Sequence, residues 1–205
     1  MSGLISSLKK VAQDLNALQA PWSLVGALAV GVHVEPRSTR DVDVAVAVRE
    51  KRDQEALITN LLSLGYANRQ VLMQLEPTCP LGDRLELRSP PGFPLAVDLL
   101  FCSSGIEPEI VAAAVQIEIF PGLLVPVACP GHLIAMKALS QNDSDRQRDA
   151  SDLHQLLVQA SPADIIIARA AAALIEARGF ARGKDVQREL TVALNKWAPA
   201  LVEVR

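Results

Sequence analysis

Aromatic side chains are scarce: four Phe, two Trp and one Tyr make up 3% of the 205 residues. A nucleic-acid surface built on stacked bases has few side chains to draw on here. Positive charge is not abundant either. Lys and Arg total 20 against 23 Asp and Glu, giving a net charge of −3 and an isoelectric point near 5.6, which argues against a wholly basic binding face and leaves room only for a local patch. Cys79, Cys102 and Cys129 are widely spaced, form no C-x-x-C pair and leave one thiol over from any disulfide, so they read as reduced. His132 and His154 are too isolated to suggest zinc, and His33 reads as packed at the end of a short helix. Long apolar runs are missing as well. The first 19 residues are interrupted by Lys9, Lys10 and Asp14, and the apolar stretch around 165–177 is short and contains Arg169. Neither a signal peptide nor a membrane span is expected, and the expected location is cytoplasmic.

What is present is an ordinary folding composition, 50% apolar and 21% charged, in a chain long enough to bury a substantial core. Leu4, Leu8, Val11, Leu15 and Leu18 recur at helical spacing up to Pro21. "WSLVG" reads as a short strand entering a turn at Gly26, "ALAVGVHV" as a small Ala-rich helix, "EPRST" as a loop and "DVDVAVAV" as the clearest strand. Residues 50–63 read as a helix stopped at Leu64-Gly65. The middle is β-rich ("RQVLMQL", "RLELRS", "LAVDLLF"), with turn chemistry in "EPTCPLGD" and "PPGFP". A short helix "EPEIVAAAV" and a hairpin around Pro121-Gly122 follow, then a helix opened by Pro130, a polar segment 140–148 read as mobile, and three more helices. The expected fold is α/β (α+β): a mixed sheet with helices in a core over 1–128, then a helical part over 129–205 packed on it.

The informative stretch is Asp41-Val-Asp43. In a strand these two acids share one face while Val42 and Val44 take the other, and burying bare carboxylates is costly unless a cation meets them. Asp98, inside "LAVDLLF", is a third acid in an apolar strand. If the two strands are neighbours, three carboxylates converge, a donor set suited to two hard cations such as Mg²⁺ in phosphoryl or nucleotidyl transfer. The structural alternative has Asp41 paired with Arg37 or Arg40 and Asp43 facing water. Gly26, at a strand-to-helix turn, lets backbone N–H groups approach a phosphate, and Arg37, Ser38 and Thr39 place donors just before the acids. On their own, Lys137 on "LIAMKAL" reads as a solvated helix position and the acids of "RDASD" as a helix cap.

The order of glycine turn, short helix, D-x-D and later acid resembles the nucleotidyltransferase superfamily of polymerase-β-like fold. More narrowly, "HVEPRSTRDVDVAV" with "VPVACPGHLIAMKALSQNDSDRQRDASDLHQLL" resembles the AbiEii/AbiGii toxin-type nucleotidyltransferases, over roughly residues 22–158. The resemblance implies that Asp41, Asp43 and Asp98 bind Mg²⁺, with Asp98 also helping to deprotonate the acceptor. It implies that Gly26 and Ala27 admit the triphosphate of an NTP such as ATP, that Arg37 and Thr39 steady it, and that Lys137 neutralises phosphate charge. Asp152 would orient Lys137 or bind the acceptor. Ala27 departs from the family's Ser or Gly, so only a backbone contact remains there. The implied reaction moves an NMP to a hydroxyl of tRNA or protein, with a cognate antitoxin as partner. A small-molecule transferase of aminoglycoside type and a degenerate nucleotide-binding or protein-interaction module are the alternatives.

Overall fold

The computed structural model describes residues 2–39, 41–72, 84–88, 96–140 and 146–204. The expected turns at 76–83 and 90–94, and the end of the strand expected at 69–75, lie outside these residues. Among them, eight helices and seven strands follow the order α1 (Ser2–Ala17), β1 (Trp22–Leu24), α2 (Gly26–His33), β2 (Asp41–Val46), α3 (Lys51–Ser63), β3 (Ala67–Leu72), β4 (Arg84–Arg88), β5 (Ala96–Leu100), α4 (Glu107–Ala112), β6 (Val115–Phe120), β7 (Leu123–Val127), α5 (Pro130–Ser140), α6 (Arg146–Gln159), α7 (Pro162–Ala177) and α8 (Val186–Trp197). A 3₁₀ turn, Pro199–Leu201, closes the series.

The strands form one mixed sheet in the order β3-β4-β5-β2-β1-β7-β6, as the α/β reading requires. β2 and β5 lie parallel with Asp43 opposite Asp98 and Val44 opposite Leu99, and β1 runs antiparallel to β2 with Leu24 opposite Val44. The pleat explains the sequence alternation. Val42, Val44, Val97 and Leu99 are fully buried, so the acids of β2 share the face opposite these valines. The sheet therefore buries one apolar face of β2 while presenting its carboxylates on the other.

α2 is apolar nearly all round, and its small residues suit close packing: it contacts β2, α5 and α6, with Ala27, Ala29 and Val30 buried. His33 at its end donates from Nε2 to the Ala128 carbonyl at 2.9 Å. Helix α1 is tied to the core where the Tyr66 hydroxyl donates to Asp14 Oδ2 at 2.8 Å, a buried contact in which desolvation first, then the neighbouring carboxylate, raise the phenol pKa. The helices beyond residue 129 share the apolar core of the sheet, through Leu133, Ile134, Leu153, Leu156, Ile165 and Leu190 among others.

The connection from α7 to α8 grips the loop after β5. Arg178 donates to the Gly105 carbonyl at 2.5 Å and to both Glu109 oxygens at 2.9 and 2.7 Å, and Arg182 donates to the Ser103 carbonyl at 2.7 Å. Gly105 has φ +73°, and a Cβ there would meet the Phe180 ring at 2.3 Å, so glycine is required on both counts. Two expectations are corrected here. Cys102 is disulfide-bonded, so the reading of three reduced thiols fails at that position, while Cys129 is a free thiol. Wide sequence spacing carries no information on spatial approach. The reading of 140–148 as a mobile polar segment fails at Ser140, which ends α5, and from Arg146, where α6 begins and takes Asp149 into its first turn, where the helix dipole favours an acid; residues 141–145 lie outside the described residues.

Glu107, at the start of α4, is fully buried. Its Oε1 accepts from Ser104 N at 2.8 Å and Ser104 Oγ at 2.9 Å, whereas Oε2 has no hydrogen-bond partner. Burial dominates over these bonds and raises the carboxyl above its ordinary 4.5. Because the folded state holds this proton more tightly, the stability contribution falls as pH rises from about 4.5 toward the raised value. Comparing melting temperatures of Glu107→Gln and the parent from pH 4 to 8 should show the difference moving steadily in the variant's favour as pH rises.

Candidate active site

Asp41 and Asp43 from β2 and Asp98 from β5 each offer a carboxylate oxygen, and these oxygens lie within 4.8 Å of one another. This is the single such group of three or more His, Cys, Asp or Glu among the described residues. The backbone register makes the cluster: parallel pairing sets Asp43 beside Asp98, and the two-residue repeat adds Asp41 on the same face. Asp41 and Asp43 are half-buried, while Asp98 is 2% exposed. Thr39 Oγ1 donates to Asp41 Oδ1 at 2.7 Å, fixing the carboxylate from the loop that precedes it.

Gly26 stands against this cluster. Its φ is +64°, and a Cβ built on it would fall 2.0 Å from Asp43 Oδ2. Val25 N–H bonds the Asp43 carbonyl at 3.0 Å, so the end of β1 is laced to the acidic strand and α2 starts beside the carboxylate. The residue before the helix, Val25, supplies no side-chain cap, which leaves the first-turn N–H groups of Gly26 and Ala27 without a side-chain acceptor from that position. Gly26→Ala should cost about 1–2 kcal/mol for left-handed backbone alone. It should also push Asp43 aside and lower turnover roughly 100-fold, as ångström-scale misplacement does, which thermal melts and steady-state rates on one preparation will check.

The donor set fits a hard divalent ion. All three groups are anionic oxygens, and Mg²⁺ characteristically takes a few carboxylates and completes its shell with water and substrate phosphate.

A second cluster gathers the other residues singled out above. Lys137, on the buried helix α5, is 8% exposed and bonds Asp149 Oδ1 at 2.6 Å and Asp152 Oδ2 at 2.8 Å. Arg37 forks onto the same Asp152, Nε to Oδ1 at 2.7 Å and Nη2 to Oδ2 at 2.9 Å. Burial alone would lower the Lys137 pKa, yet Asp149 and Asp152 outweigh it and raise the group. Burial alone would raise Asp152, yet Arg37 and then Lys137 outweigh it and hold the carboxyl below its usual range. The alternative pairing of Asp41 with Arg37 is not the arrangement observed, since Arg37 engages Asp152, and the alternative with Arg40 lies outside the described residues. Asp149, read from the sequence as a helix-cap acid, is the further member; its i,i+3 spacing from Asp152 in "RDASD" puts both on one helix face.

Cys129 and His132 also touch, Sγ to Nδ1 at 3.2 Å. Burial pushes the thiol pKa up and the imidazole pKa down, the reverse of an activated thiolate–imidazolium pair.

A mixed sheet whose adjacent strands carry D-x-D and a third acid, beside a glycine-initiated helix, is the arrangement expected from the resemblance to nucleotidyltransferases of polymerase-β-like fold. The sequence matches the family described as Nucleotidyl transferase AbiEii toxin, Type IV TA system, over residues 13–200, and the chain belongs to that family. The fold is similar to the crystal structure of an antigenic nucleotidyltransferase-like protein from Paracoccidioides brasiliensis, with 18% identity, 98% of this chain and 94% of that one covered, and a TM-score of 0.56. It is similar to the same degree, TM-score 0.56, to the solution structure of the antibiotic-resistance factor ANT(2'')-Ia, at 12% identity over 86% of this chain and 94% of that one. At these identities the likeness is one of fold. No curated protein matches the sequence.

Proposed function

We propose that the protein transfers a nucleoside monophosphate from an NTP to an acceptor hydroxyl at Asp41, Asp43 and Asp98, with Mg²⁺ held by these carboxylates. The observation that carries this reading is the convergence of the three carboxylates within 4.8 Å against the start of α2. Held by Asp41, Asp43 and Asp98, such ions would supply positive charge against the phosphates and the reacting oxygens. The N–H groups of Gly26 and Ala27 receive phosphate oxygens at the positive end of the helix dipole. Thr39 keeps Asp41 oriented, and Asp98 accepts the proton of the acceptor hydroxyl as its oxygen bonds to the α-phosphorus. The bond from that phosphorus to the bridging oxygen breaks, and pyrophosphate departs. Lys137 stays paired with Asp149 and Asp152 and acts on the phosphates only through the field of its charge, with Asp152 orienting it.

The acceptor is a macromolecular hydroxyl, on a tRNA 3′ end or on a protein, and the family's toxin membership points to a cognate antitoxin as partner. The site of action is the cytoplasm; among the described residues no helix is long and apolar enough to cross a membrane. Incubation with each NTP labelled at the α-phosphate, with bulk tRNA and with cell lysate, identifies the acceptor: ribonuclease-sensitive product means RNA, protease-sensitive product means protein. Label appearing in neither, but only in small molecules, would replace this reading with a small-molecule transferase.

A further inference from the structure

We propose that Arg37 is a positioning residue, whose fork on Asp152 of α6 fixes the loop that delivers Asp41 to the metal site. The proposal rests on reading the acidic triad as a metal site. It departs from the role of triphosphate ligand that the sequence resemblance implies for Arg37.

Three observations carry it. Both oxygens of Asp152 are engaged by the planar guanidinium, so the pair is directional, and the Asp152 side chain is 1% exposed, so its carboxylate is shielded from water although the Arg37 side chain is 27% exposed. Arg37 Nη1 also donates to the Ser38 carbonyl at 3.3 Å, bracing its own loop. Thr39, the next residue but one, holds Asp41 Oδ1 at 2.7 Å. The route from α6 to the metal ligand is therefore Asp152, Arg37, the backbone of residues 37–39, Thr39 and Asp41. Pro36 stiffens the entry to this route by fixing its own φ.

Charge bookkeeping points the same way. Among the described residues, Arg37 and Lys137 face Asp149 and Asp152 in one connected cluster. If Arg37 left to bind phosphate, the buried Asp152 would keep Lys137 alone, which Asp149 already shares. An arginine committed in this way acts through the loop it anchors.

The test uses Arg37→Ala and Arg37→Lys, since replacing Asp152 would also disturb Lys137. Mn²⁺ affinity by electron paramagnetic resonance, amide hydrogen exchange over residues 35–43 without metal, and kcat and KM for NTP are measured on each. Removing a residue that orients a metal ligand should weaken Mn²⁺ binding and lower kcat by roughly 10- to 100-fold, with KM for NTP changed by less than about threefold. Exchange at 37–41 should accelerate, Arg37→Lys should fall between the parent and Arg37→Ala, and added guanidinium should partly restore Arg37→Ala. A raised KM with Mn²⁺ affinity and exchange both unchanged would overturn the proposal and make Arg37 a phosphate ligand. If the parent protein turns over no NTP, transfer fails as a reading, yet the Mn²⁺ and exchange measurements still decide the role of Arg37.

Discussion

Asp43→Asn should abolish transfer while leaving a folded protein. Asn has nearly the same shape, and Asp43 sits at the centre of the cluster: it pairs in register with Asp98, lies two residues from Asp41 and abuts Gly26. Removing one anionic ligand from a three-carboxylate site should cost about 4 kcal/mol of transition-state stabilisation, or roughly a thousandfold in rate. Stability gives an independent signature. A ligand present at about ten times its dissociation constant stabilises the folded state by ~1.4 kcal/mol, which in a chain of this size raises the melting temperature by roughly 3–6 °C. Mn²⁺ should therefore raise the melting temperature of the parent protein and leave that of Asp43→Asn unmoved. A residue needed only for folding would lower the metal-free melting temperature instead.

The second large effect is on stability. Lys137→Met should destabilise the protein by about 3 kcal/mol, because it strips a buried cation from two carboxylates. Arg37 still holds Asp152 in that variant, so the loss falls mainly on Asp149 and on the second contact to Asp152. The sign of the pH dependence follows from the two shifts. Asp152 is held below its ordinary 3.8, so its contribution is present above that pH and is lost as pH falls through the depressed value. Lys137 is raised above 10.5, so its contribution is present below that pH and is lost as pH rises through the raised value. The melting-temperature gap between the parent and Lys137→Met should be widest from about pH 5 to 9 and close at both ends. A gap independent of pH would mean that Lys137 contributes only by packing its alkyl chain.

The acidic face is readable in the sequence because the responsible physics is local or periodic. A two-residue alternation places Asp41 and Asp43 together, and an acid in a leucine-rich strand asks for a partner, so Asp98 is legible without its register opposite Asp43. Gly26 was legible as a turn, but its closeness to Asp43 depends on β1 being laced to β2, which no local pattern encodes. The partner of Arg37 was not legible. Asp152 lies 115 residues further along, and several acids stood nearer in sequence. The burial of Glu107 is not legible for a similar reason: an acid in the first turn of a helix reads as an exposed dipole partner, and only the packing of α4 buries it. Cys102 shows the limit of counting: thiol spacing predicted reduction, and the fold placed a disulfide there.

The most direct test of the central claim follows the α-phosphate. The parent protein and Asp43→Asn are incubated with each of the four NTPs labelled at the α-phosphate, with Mg²⁺ or with EDTA, in the presence of bulk tRNA and lysate, and acid-insoluble label and pyrophosphate are counted together. The account predicts label and pyrophosphate in equal amounts for at least one NTP with the parent protein and Mg²⁺, and neither with EDTA or with Asp43→Asn. No label and no pyrophosphate with any NTP, or equal incorporation by Asp43→Asn, would contradict it.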